Sequence, residues 1–80
     1  MTEFYVYEWI RLDTNKPFYI GKGKKYRAWK LKNNSYFMNI YNKTATKVRI
    51  IKDNLDEQEA FELEKMIISL YKNWVINWLI

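Results

Sequence analysis

The chain has 80 residues, is 49% apolar with four Trp, seven Tyr and four Phe, and carries a formal net charge of +5. That length makes one domain, and large aromatics help so short a chain reach a stable core. The lack of Cys excludes a disulfide framework and a thiolate metal site, the lack of His excludes a histidine base or ligand, and no apolar run approaches the ~20 residues of a membrane-spanning helix.

In chain order, residues 4–12 alternate. Phe4, Val6, Ile10 and Leu12 share one face, and Tyr5, Tyr7, Trp9 and Arg11 share the other, which is the period of a strand. Glu8 falls on the apolar face, and the pattern gives no account of it. "DTNK" is turn chemistry. Pro17 opens a second strand, where Phe18 and Ile20 alternate with Tyr19 and Gly21. Pairing Ile10 with Phe18 keeps the apolar faces together. That register predicts a short loop around Asp13 to Asn15 and sets Tyr7 opposite Gly21. Tyr7 and Tyr19 then share the non-core face, with a glycine between them that leaves room for a ligand.

Residues 24–32 read as a short helix carrying Lys24, Arg27 and Lys30 along one line. "NNS" breaks it, and Ser35 can cap a second short helix with Tyr36, Phe37, Ile40 and Tyr41 on one side. Residues 46–52 alternate again, with Val48 and Ile50 inward and Lys47 and Arg49 outward. Asp56 with Glu59 forms a capping box that opens a long helix to about Lys72, and "WVINWLI" reads as strand-like or extended. The order β-β-α-α-β-α predicts a single α+β domain over residues 1–80, a small three-stranded antiparallel sheet flanked by helices.

The charge is laid out unevenly. Between Asp13 and Asp53 there is no acid, yet the interval holds eleven cations, six of them from Lys22 to Lys32. Tyr26, Trp29, Tyr36, Phe37 and Tyr41 run through it. A basic surface interleaved with aromatics suits a polyanion, most often nucleic acid; the plainer alternative is a solubilising face. "MTEFYVYEW" carries an acid and no small-residue cleavage site, so no secretory leader is expected. The expected setting is cytoplasmic, as a nucleoid-associated, phage or mobile-element protein.

On the long helix, Ala60, Leu63, Ile67, Ile68 and Tyr71 form an apolar stripe, and Glu64 falls near its middle. Burying an unpaired carboxylate costs several kcal/mol. Glu64 therefore requires a buried Arg or Lys, a set of N–H donors, or a divalent cation. A structural salt bridge and a metal-assisted phosphodiester site both satisfy that requirement. No Asp or Glu is followed two residues later by Lys, and Gly21 with Gly23 makes only G-x-G, short of a dinucleotide or P-loop pattern.

"YVY" (Tyr5 to Tyr7), "YIG" (Tyr19 to Gly21), the arginine of "GKGKKYRA", the glutamate of "ELEKMII" and Asn77 occur in the order and at the spacing of the GIY-YIG nuclease superfamily, which this chain resembles from about Phe4 to Asn77. The resemblance implies a three-stranded antiparallel sheet flanked by helices and metal-dependent cleavage of DNA. It implies that Tyr7 or Tyr19, with Tyr7 preferred, positions or deprotonates the attacking water. Arg27 would stabilise charge on the phosphate, and Lys22 would touch the phosphate or lower a tyrosine pKa. Glu64 would hold one Mg²⁺ or Mn²⁺, and Asn77 would support the site. Gly21 and Gly23 are expected to let a phosphate approach the backbone, with Lys24 and Lys30 as further DNA contacts. The first motif lacks its Gly-Ile. Leu31 stands where many relatives have His or Tyr, so Tyr26, Trp29 or Tyr36 substitutes, or activity is reduced. Three readings follow: an endonuclease of low intrinsic specificity, a catalytically silent nucleic-acid-binding module on the same fold, and a protein-interaction domain. DNA is the expected partner of the first two, with no membrane; a homodimer or a specificity-conferring partner protein is the further expected association.

Overall fold

The computed structural model describes the backbone of residues 2–79 and the side chains of residues 2–71. Strands β1 (Phe4–Arg11), β2 (Lys16–Lys24) and β3 (Thr46–Leu55) form one antiparallel sheet in the order β2-β1-β3. Helices α1 (Ser35–Lys43) and α2 (Glu57–Leu79) and a 3-10 turn (Arg27–Trp29) complete an α+β domain. The predicted fold class is therefore the observed one, with differences in detail.

The first difference concerns residues 24–32, which do not form a helix. β2 continues to Lys24, paired with Phe4. Lys25 then takes a left-handed φ of 56°, and only Arg27–Trp29 turns, as a 3-10 segment. Lys24, Arg27 and Lys30 thus share no helical line. Second, the cap of α1 is Asn34, whose side chain accepts from the Phe37 N–H at 3.0 Å; Ser35 is already inside the helix. Third, residues 74–79 are not extended, because α2 runs on to Leu79; Ile80 lies outside the described residues. Fourth, β1 carries two cores rather than one, as befits a central strand covered on both faces.

Tyr5, Tyr7 and Trp9 pack with Ala28 of the turn and Phe37 of α1. Phe37 is fully buried and meets Trp9 edge-on at 5.1 Å and Tyr19 at 5.5 Å. Such aromatic pairs contribute ~0.5–1.5 kcal/mol beyond their area. On the other face, Val6 packs with Leu55, Ala60 and Ile67. The face expected to be non-core is a core in its own right. Two hydrogen bonds tie the 3-10 turn down on it: the Trp9 indole N–H donates to the Ala28 carbonyl at 2.9 Å, and the Tyr5 hydroxyl accepts from the Ala28 N–H at 3.0 Å.

Tyr7 pairs with Gly21 as predicted, but a bulge after Trp9 puts Ile10 opposite Pro17 instead of Phe18. The strand ends at Arg11, so Leu12 is exposed. The capping box of α2 is reciprocal: Glu59 N–H donates to Asp56 at 2.8 Å, and Asp56 N–H to Glu59 at 3.0 Å. Ile68, assigned to the apolar stripe, is exposed, whereas Ala60 and Ile67 are buried. Glu8, unexplained by the pattern, is 0% exposed and accepts from Arg49, its cross-strand partner, at 2.7 and 3.2 Å. The Tyr71 hydroxyl adds a donor at 3.4 Å.

Candidate active site

β2 is an edge strand, and α2 packs against it from the sheet's second face. Where the strand, the helix and the 3-10 turn approach one another, a cleft of 640 Å³ opens. Tyr7, Tyr19, Gly21, Lys22, Gly23, Lys24, Arg27 and Glu64 all line it. These residues come from β1, β2, the turn and α2, and only the tertiary fold brings them together. Lys30 lies instead on an adjoining cavity of 840 Å³ that shares Tyr19, Lys24, Arg27 and Lys32 with the cleft. Asn77 falls outside the residues whose side chains are described.

Tyr7 and Tyr19 stack across the β1–β2 pair with centroids 6.3 Å apart. Tyr7 is only 2% exposed. Burial pushes its phenol well above the ordinary tyrosine range; Tyr19, Tyr5 and Glu64 push the same way, and Arg27 pulls it down.

The two glycines have a different use from the one expected. A β-carbon on Gly21 would lie 2.6 Å from Tyr7 Oη and 2.7 Å from Cζ, and one on Gly23 would lie 2.7 Å from Arg27 Cβ. The space above each glycine is filled by one of the site's own side chains. Phosphate approach to the backbone is therefore not what the glycines provide; they seat Tyr7 and Arg27.

Glu64 is half-buried at the flank of the stripe, on the side facing the cleft. Burial raises its pKa, and the Lys22 ammonium and backbone N–H oppose that shift. Lys22 sits 5.6 Å over the Phe4 ring and 3.9 Å from Glu57. Lys24 pairs with Glu3 at 3.1 Å. Among the described residues, Arg27, Lys30 and Lys32 have no carboxylate within ion-pair distance.

Lys32 is the site residue that the pattern missed. Its ammonium lies 4.8 Å over the Tyr7 ring and 5.7 Å over Tyr19, and it donates to the Arg27 carbonyl at 2.8 Å. Burial, then Arg27 and Lys30, lower its pKa. Reading residues 24–32 as a helix hid this, because a helical path would carry Lys32 away from the strand tyrosines. The break at "NNS" was the available signal that the chain turns back. Leu31, by contrast, is exposed and lines only the adjoining cavity.

The cleft thus offers two stacked phenols, a guanidinium and an ammonium without carboxylate partners, and one desolvated carboxylate. That set can grip a phosphodiester and present it to a hard cation. Comparison with family models, with curated proteins and with solved structures returns no match.

Proposed function

We propose that this domain is a metal-dependent DNA endonuclease of the GIY-YIG type, hydrolysing phosphodiester bonds with low intrinsic sequence specificity. The observation that carries the reading is the convergence of Tyr7, Tyr19, Arg27 and Glu64 on one basic cleft. A polyanion is drawn by the surrounding lysines and held largely by counterion release.

The donor set fits a divalent ion such as Mg²⁺ or Mn²⁺. Among the described residues no group of three or more acids could cage a metal. Mg²⁺, however, is commonly held by one or two carboxylates together with substrate phosphate oxygens and water. Glu64 would hold it jointly with the substrate, and the bound ion supplies Lewis-acid stabilisation of phosphate charge. Arg27 grips two phosphate oxygens with its fork, an interaction that strengthens as charge develops there. Lys32 and Lys22 add positive charge on either side. Tyr7, kept protonated by its burial, orients the attacking water through its hydroxyl; to accept the water's proton it needs further positive charge beside Oη.

That same burial of Tyr7 favours a second reading, a catalytically silent nucleic-acid-binding module. Plasmid nicking in Mg²⁺ or Mn²⁺ decides between them, beside Glu64→Ala. The nuclease reading expects metal-dependent nicking that Glu64→Ala abolishes while the protein stays folded. Salt-sensitive DNA binding with no nicking under any metal establishes the silent module.

A further inference from the structure

The 3-10 turn presents two side chains in different directions. Arg27 lines the catalytic cleft, while Trp29 lines a separate cavity of 510 Å³ with Trp9, Tyr41, Lys47 and Val48. Trp29 is 55% exposed and Tyr41 37% exposed, although both rings are braced from behind. Trp29 meets Tyr5 edge-on at 6.3 Å, and Tyr41 stacks on Phe37 at 6.1 Å. A domain this small gains by burying its aromatics. Two braced rings with open faces beside a cavity are therefore a platform.

The occupant is indicated by charge. Among the described residues, neither this cavity nor the 840 Å³ cavity beside the cleft has an acid in its lining; Lys47 lines the first, and Lys30 and Lys32 line the second. Exposed aromatic rings together with cations on a surface without acids are the makeup of a single-strand binding surface: cations hold the phosphates, and bases stack on the rings. Resting on the nucleic-acid reading of the cleft, we infer that the cavity between the 3-10 turn, α1 and β3 takes an unpaired nucleobase stacked on Trp29. The strand carrying that base passes over the turn to the phosphate held by Arg27. The preferred substrate is then DNA with a single-stranded segment beside the cut.

The test compares fluorescence anisotropy of labelled oligo(dT) and of a duplex of equal length, in Ca²⁺ at low salt. Stacking of one base is worth ~1–3 kcal/mol, so Trp29→Ala should weaken oligo(dT) binding about five- to 150-fold. Duplex affinity should change far less, and Trp29→Tyr should recover much of the loss. If Trp29→Ala does not fold by circular dichroism, Tyr41→Ala carries the same comparison. Equal losses on single strand and duplex, or none on either, overturn the inference. So does a dimer in sedimentation that Trp29→Ala dissociates, which would give the cavity to a second copy. Trp29-dependent oligo(dT) binding without metal-dependent cutting upholds the inference while the nuclease reading fails.

Discussion

Gly21→Ala tests the seating of Tyr7 directly. The added methyl would sit 2.6 Å from Tyr7 Oη and 2.7 Å from Cζ. Tyr7 cannot swing away easily, since Tyr5, Tyr19 and Lys32 enclose it. Overpacking of this kind costs ~1–3 kcal/mol. Gly21 is not in a positive-φ conformation, so the backbone accepts alanine, and replacing a strand glycine recovers ~0.5–1 kcal/mol. The net expectation is a loss of roughly 0.5–2 kcal/mol, with Tm falling by several degrees at about 4–8 °C per kcal/mol for a domain of this size. In a Tyr7→Leu background the ring end is gone and only the strand term remains. There Gly21→Ala should stabilise, by about 0.5–1 kcal/mol. Urea unfolding followed by tryptophan fluorescence gives all four corners of the cycle. Additivity within ~0.5 kcal/mol would refute the argument, because the glycine would then not be holding space for the tyrosine. Gly23→Ala should be worse tolerated, since the nearest atom is Arg27 Cβ and relief requires the tethered turn to move.

Arg27→Ala should cut the single-turnover rate about a hundredfold or more while DNA affinity in Ca²⁺ stays near that of the unaltered protein; Lys should rescue only part, and a loss confined to binding would demote Arg27 to one more backbone contact. Cation–π contacts are worth ~0.5–2 kcal/mol, so Lys32→Met should slow cleavage about two- to thirtyfold. Because Lys32 titrates below the ordinary lysine range, cleavage should decline at alkaline pH as that proton leaves. Lys32→Arg should extend activity to higher pH, and an unmoved alkaline limb would place Lys32 outside the reaction. Arg49→Ala should destabilise by roughly 2–3 kcal/mol, below the ~3–5 of a fully buried pair because Arg49 is 59% exposed; Glu8→Gln should recover part of the loss in urea titrations.

The strands were legible because alternation is a local signal, and Tyr7 opposite Gly21 followed from matching apolar faces. The capping box of Asp56 and Glu59 was legible down to its hydrogen bonds. Residues 24–32 misled for an equally physical reason. Lys, Arg and Ala favour helices, but a nine-residue stretch is too short to hold one alone. Pairing of Lys24 with Phe4 and the anchoring of Ala28 by Tyr5 and Trp9 decided the path instead. Both anchors are long-range contacts that no local pattern contains. The sandwiching of β1 was hidden for the same reason, since Tyr5, Tyr7 and Trp9 are apolar enough for a core and polar enough for a surface.

Two carboxylates interrupted apolar faces, and the structure separates them. Glu8 is completely buried, yet its charge is matched by Arg49 directly across the strand pair, with Tyr71 as a further donor. A carboxylate so provided for has little capacity left for a ligand, and its role is to fix β1 against β3. Glu64 is less buried but less well satisfied. Burial raises its pKa; the Lys22 ammonium and backbone N–H oppose that rise, and the ammonium also leans toward Glu57. A desolvated carboxylate opening onto a cleft, beside an arginine without a carboxylate partner, still has electrostatic demand to meet. The salt bridge that sequence alone allowed for Glu64 belongs to Glu8. On the proposed reading, Glu64 would meet that demand with a cation, opposite the two stacked phenols on the cleft in which a phosphate would lie.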